Sequence, residues 1–175
     1  AVVRCWQTMG VPKILQMDNA VATGTSIHPG SICKMLRLCL YVGVEVLFVP
    51  FAEPWRQGIV EKFNDFLDKS FFRSHRFQDL PDMCERAQAF QHHCWHHRRL
   101  WALKGKAPSQ MFPDVSLNLL PDDFAVPDRL GIPAGTISFI RMVRSDHQVD
   151  VLGHKFPVDE TYYREYVMAS LSTES

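Results

Sequence analysis

Two carboxylates stand where they could do chemistry. Asp18 closes the apolar run "VPKILQMD", and Glu61 lies in "EPWRQGIVEKFN", Glu53 to Asn64, where a Pro-Trp pair and a glycine precede a helical pattern. Carboxylate oxygens are hard ligands suited to Mg2+ or Mn2+. A metal held by them activates an attacking oxygen and stabilises a leaving one in phosphodiester chemistry. Spacing alone leaves a plainer reading open, in which both acids are helix caps or solvated surface charge. Choosing between these readings requires the elements that position them.

The run 11–18 reads as a short buried strand that ends in a carboxylate, the end at which open α/β sheets place their sites. From Ile32 to Val42, Ile32, Met35, Leu36, Cys39 and Leu40 recur at helical spacing, with Gly43 where a C-terminal cap belongs. "VEVLFVPF" follows as a second strand, so a parallel βαβ unit is expected. After it, Ile59, Phe63, Phe66 and Leu67 predict a helix with one buried stripe, and Glu61 lies off that stripe. A further helix starts at Asp79 as N-cap, with Pro81 in its first turn and Met83, Ala87, Phe90, Cys94 and Trp101 near one face.

Beyond residue 112 the texture changes. Prolines and glycines without periodicity over 113–134 read as a linker. Residues 135–175 read as short β runs separated by turns, expected to form a small antiparallel β-barrel. Residues 1–112 would then be an α/β core. Composition agrees with a globular protein: 46% of the 175 residues are hydrophobic, and no run approaches the roughly 20 apolar residues of a membrane helix, so no membrane partner is expected. Five cysteines without a C-x-x-C pair point away from a disulfide framework and toward a reducing, cytoplasmic compartment. Net charge is zero, yet eight Lys/Arg face three acids between Lys69 and Lys106, a stripe on which a polyanion could dock or which is simply a solvated helix face.

The words around the two acids narrow the choice. "QMDNA", "VGVEVLFVP" and "EPWRQGIVEKFNDFLDKSFF" together resemble the DDE-type integrases and transposases with a retroviral-integrase-like, RNase H-like catalytic core, in particular bacterial insertion-sequence transposases. In that family an Asp-Asn pair ends a strand, and Gly-x-x-Glu-(Arg or Lys)-x-Asn opens the helix bearing the last catalytic acid. The matching residues are Asp18, Asn19, Gly58, Glu61, Lys62 and Asn64, with Pro50 and Pro54 in the loop. The resemblance implies DNA strand cleavage and transfer in transposition, with Asp18 and Glu61 as catalytic ligands to Mg2+ or Mn2+. Pro54, Trp55 and Gly58 would shape the active-site loop. Asn19, Lys62, Asn64 and Lys69 would contact DNA. The implied partners are transposon ends, target DNA and further copies of the chain.

"HHRRLWALKGKAPSQMF" and the terminal β segment extend the resemblance, the latter toward a DNA-binding barrel in which Arg141, Arg144, Lys155 and Arg164 would meet backbone phosphates. Two departures stand out. Ala20 replaces the usual glycine, with "VATGTSIHPGS" read as an inserted loop, and residues 1–17 hold no Asp or Glu, so the family's first catalytic aspartate and its strands are missing. The expectation is an RNase H-like core truncated at its N-terminus and inactive on its own. A non-catalytic DNA-binding or regulatory fragment of a transposase is the alternative, and a nuclease that cuts without joining is a third. The i, i+4 pairs His92/His96 and His93/His97 invite zinc, but no third and fourth ligand follows at recognised spacing. The preferred reading joins the four histidines with Arg98 and Arg99 as a partly cationic helix face tracking DNA phosphates. Trp55, Trp95 and Trp101 read as core or loop anchors.

Overall fold

The computed structural model describes residues 2–19, 31–50, 53, 58–112 and 116–173. They form two compact units, one built from 1–53 with 117–175, the other from 54–116. Pro54, Trp55, Ala20 and the segment 21–30 lie outside the described residues.

The first unit is a mixed four-stranded sheet in the order β1-β2-β3-β6, with a separate β4-β5 hairpin. Its elements are α1 (Val2–Met9), β1 (Ile14–Met17), α2 (Lys34–Tyr41), β2 (Glu45–Phe48), β3 (Gly135–Met142), β4 (Gln148–Val151), β5 (His154–Pro157) and β6 (Tyr166–Thr173). The expected βαβ unit is present: β1 and β2 pair in parallel, Leu15 beside Val46 and Met17 beside Phe48, with α2 between them in sequence. α2 buries Leu36, Leu38, Cys39 and Leu40 and stops where Gly43, at φ +77°, turns the chain so that Val44 N–H reaches the Cys39 carbonyl. Leu36, Cys39, Val46, Phe48, Ile137 and Phe139 form the centre of the core, with the Phe48 and Phe139 rings stacked at 5.1 Å.

The C-terminal strands do not close into a barrel among the described residues. β3 instead adds to the open edge of β2 in parallel, Val46 beside Ile137 and Phe48 beside Phe139, and β6 returns antiparallel to β3 along its whole length. The physical reason lies in β3: its inward residues Ile137 and Phe139 are apolar, and burying them against Phe48 satisfies both the backbone edge and the core. The fold is mixed α/β. The irregular stretch 117–134 is strapped to the same core: Leu130 is buried, Leu120, Phe124 and Val126 pack on the core, and Gln7 Nε2 donates to the carbonyls of Pro121 and Asp122.

Gly135 opens β3 where α2 passes closest. A Cβ there would sit 2.6 Å from Leu40 Cδ2, and Leu40 is buried, so its tip has little room to yield. Gly135→Ala is expected to destabilise the first unit by about 1–3 kcal/mol through overpacking, read out by urea unfolding, with Leu40→Ala in the same chain relieving the clash.

The second unit is helical. α3 (Gly58–Leu67) continues as a π-helical turn over Asp68–Phe72, followed by α4 (Leu80–His96) and α5 (Pro108–Met111). Asp79 caps α4 as expected, accepting the Asp82 N–H at 2.8 Å; Asp82 in turn accepts from Gln78 N–H and from Arg86 Nε. Phe71 is the buried centre of an aromatic cluster, 5.2 Å from Phe77 and Phe90, with Phe66 stacked on Phe90 at 5.6 Å. The expected buried stripe of α3 is corrected accordingly. Phe66 and Leu67 are half-buried, while Ile59 is 88% and Phe63 49% exposed, because the cluster lies at the C-terminal end of the helix. Trp101 is likewise no helix-face anchor. His97 and Arg98 N–H groups both reach the His93 carbonyl and end α4, leaving Trp101 96% exposed in a short turn. Among the described residues no helix is long and apolar enough to cross a membrane.

Gln78 N–H first, and Arg86 second, hold the Asp82 carboxyl below its ordinary value near 3.8. A carboxylate with a lowered folded pKa stabilises fully above the unfolded pKa, and loses that contribution as pH falls through the folded one. Helicity from α4 should therefore begin to fall below about pH 3.8, and circular dichroism of Asp82→Asn should lack that acid limb.

All five cysteines are free thiols. Burial, with the nearby Cys33 adding to it, pushes the Cys39 thiol up to about 11, so it stays protonated and shielded. Mass spectrometry after iodoacetamide treatment should find Cys5 and Cys84 modified in the folded chain and Cys39 only after unfolding.

Candidate active site and nucleic-acid interface

Asp18 is exposed immediately beyond the carboxyl end of β1, and the residue after it is tied to neighbouring strands. Asn19 Nδ2 donates to the Val49 carbonyl at 2.5 Å, tying the exit of β1 to the exit of β2, and Asn19 Oδ1 accepts from Arg141 Nη2 at 3.0 Å. Arg141 is 5% exposed. Its Nε donates to the Asp150 carbonyl at 2.8 Å and its Nη1 to Ile140 and Val49 carbonyls at 2.9 and 3.3 Å. Burial, partly offset by the Asp150 charge, lowers the guanidinium to about 10, so it remains charged at neutral pH and needs these oxygens to replace water.

Arg141 thus serves as an internal clamp joining β1, β2, β3 and β4, and its guanidinium is turned into the protein where the barrel reading had it meeting DNA phosphates. Asn19 sits in the same clamp. The sequence carried no cue for this, since a strand arginine reads as surface charge until a neighbouring strand covers it.

Sequence reasoning also passed over Glu53. It is 8% exposed and accepts the Tyr166 hydroxyl at 2.5 Å, so the exit of β2 is tied to β6 as well. Beside this pair a cleft of about 270 Å³ opens, lined among others by Glu53, Arg141, Arg144, Asp146, Asp150 and Lys155. Three cations and three acids on its walls leave no net field to select an anion. Arg144, Lys155 and Arg164 are exposed, and Arg164 lies over the Tyr163 ring at 5.1 Å.

In the second unit, Glu61 stands exposed in the first turn of α3, with Lys62 and Asn64 exposed beside it. Lys69 is paired with Asp65 at 2.7 Å, the i, i+4 pair the spacing predicts, and both side chains are more than half exposed. Such a surface pair adds little to stability and leaves Lys69 able to exchange Asp65 for another anion. A Cβ at Gly58 would meet nothing within 4 Å among the described residues, so no close approach there demands glycine.

Toward the end of α4, His92, His93, His96 and His97 are all exposed and gathered together, His92 on His96 at 4.4 Å and His93 on His97 at 5.6 Å. Among the described residues no group of three or more His, Cys, Asp or Glu is assembled that could hold a metal ion. Arg99 is exposed, whereas Arg98 is half-buried with its guanidinium 3.4 Å from the Phe66 ring centre, a cation–π contact that ties α4 back to α3.

As donors, Asp18 and Glu61 fit Mg2+ or Mn2+ in type, each an exposed oxygen ligand at an element end; the first unit supplies one and the second unit the other. Set against models of protein families and against curated proteins, the chain matches none.

Proposed function

We propose that this chain acts in DNA strand cleavage and transfer of the DDE-type transposase and integrase class, with an RNase H-like core. Asp18 and Glu61 would hold Mg2+ or Mn2+, Lys62, Asn64 and Lys69 would hold the DNA end beside Glu61, and Arg99 with the α4 histidines would follow the phosphate backbone. The observation that supports this best is the placement of Asp18 at the carboxyl end of the parallel pair β1-β2, with the adjoining Asn19 locked to Val49 and Arg141. A metal ligand needs a fixed backbone, and the Asn19 lock steadies the chain next to the exposed Asp18. The metal, when bound, would supply activation of the attacking oxygen and stabilisation of the leaving one. Such enzymes act as multimers on paired DNA ends, and a homo-oligomer belongs to the proposal.

Paramagnetic Mn2+ tests it without requiring activity. At substoichiometric Mn2+, amide resonances of Asp18 and Asn19 should broaden together with those of Glu61 and Lys62, and Asp18→Asn should abolish both effects. Broadening at only one of the two acids would refute the shared metal. Duplex binding by fluorescence anisotropy, weakening steeply between about 50 and 200 mM salt, with no coupling to Mn2+, would favour the non-catalytic DNA-binding alternative.

A further inference from the structure

We infer that the outer edge of β6 is a self-pairing surface, on which a second copy of this chain docks antiparallel to extend the sheet across a two-fold axis. Among the described residues β3 is the only strand that pairs with β6, which ends the sheet. It is eight residues long, "YVMASLST", with no charge, proline or glycine.

Natural sheets guard an exposed edge with short strands, lysines, prolines or bulges. The opposite edge follows that rule: β1 is four residues long and enters after Pro12 and Lys13. β6 carries no such guard along its length.

The hydrogen-bond parity of β6 is fixed. Val143 N–H donates to the Glu165 carbonyl and the Val143 carbonyl accepts from Arg164 N–H, so alternate residues of β3 from Val143 back toward Gly135 face β6. Their partners Val167, Ala169 and Leu171 therefore bond inward, and the backbone groups of Met168, Ser170 and Ser172 point outward.

Three features favour a second copy as occupant. A two-fold axis normal to the sheet keeps each face on its own side, so centring it on Ala169 sets Val167 of one copy against Leu171 of the other and Met168 against Ser170. That continues the half-buried row of Val167, Ala169 and Leu171, of which Ala169 and Leu171 already touch the core; every residue of β6 is only half-buried or exposed. An uncharged strand meets its own image without like-charge repulsion. The edge also lacks charges with which to select a different protein. An edge about 26 Å long and about 10 Å thick offers only a few hundred Å2 per partner, below the roughly 1,000 Å2 of a stable complex, so the dimer is weak and reversible.

The inference deepens the homo-oligomer of the proposed function and is tested apart from its chemistry. Sedimentation equilibrium of the full 175-residue chain, reduced and without DNA, over about 5–500 µM should show a monomer–dimer equilibrium. Met168→Lys, at a side chain 68% exposed, and Ser172→Lys, also exposed, should each weaken it roughly tenfold with unchanged circular dichroism and unfolding midpoint. A chain monomeric throughout, a dimer indifferent to both lysines, or mass growing without limit would overturn it. Duplex binding measured on the same samples reports on the DNA reading separately, because neither lysine lies among its proposed DNA contacts.

Discussion

Arg141→Ala is expected to destabilise the first unit by about 3 kcal/mol or more, because it removes several charge-assisted hydrogen bonds from a buried guanidinium to partly buried oxygens. The oxygens are the Asp150 carbonyl, 2.8 Å from Nε, and Asn19 Oδ1, 3.0 Å from Nη2; Val49 keeps its bond from Asn19. Arg141→Lys should recover part of the loss, since an ammonium can reach one or two of these oxygens while lacking the planar fork that spans them. Urea unfolding by circular dichroism measures both. The distinctive readout is DNA. A phosphate-contacting arginine would reduce the salt dependence of duplex binding when replaced by a neutral residue, whereas the neutral Arg141→Gln should leave the salt slope of the folded chain unaltered. Asn19→Ala should in turn lower stability by a smaller amount, and should couple to Arg141→Ala in a double-mutant cycle.

The second large effect belongs to Phe71→Ala, expected to cost about 3–5 kcal/mol, the range for truncating a buried phenylalanine. Phe71 contacts Phe72, Phe77, Phe90 and His75 within 5.4 Å, and among the described residues it is the one buried aromatic of the second unit. Phe66 on Phe90 and Arg98 on Phe66 also hold α3 on α4, and a helical unit of this size has a small core to lose. Its loss should appear as reduced helical circular dichroism and faster proteolysis within 58–112, while the sheet of the first unit keeps its own transition. Glu61 rides on α3, so under the shared-metal proposal the same variant should weaken the Mn2+ broadening at Asp18 as well as at Glu61.

The contrast between Arg141 and Lys69 shows how context sets the worth of a charge. Both are basic residues that the sequence offers as DNA contacts. Lys69 is exposed and shares an i, i+4 pair with Asp65, an interaction that solvent and salt reduce to little. Arg141 lies under β4 with carbonyls around it, and there the loss of a hydrogen bond costs the full desolvation of what remains.

Local features were legible in the sequence wherever short-range physics decides. The strand ending at Asp18, the helix capped near Gly43, the Asp79 cap and the Asp65–Lys69 pair all appear where residue type and spacing put them, because each depends on neighbours within about four positions. The candidate acids were legible in the same way, as an exposed carboxylate at a strand end and another in a first helical turn. Tertiary structure decided the rest. It placed β3 beside β2 instead of in a barrel, sank Arg141 into a clamp on Asn19, paired Glu53 with Tyr166, gathered the α3 aromatics at one end, and left β6, among the described residues, as the last strand of the sheet. These outcomes depend on which distant strand covers which side chain. The alternating pattern of β3 suits a barrel wall and a sheet interior equally well, and only the free hydrogen-bonding edge of β2 together with the apolar face of Phe48 makes the second arrangement the better one.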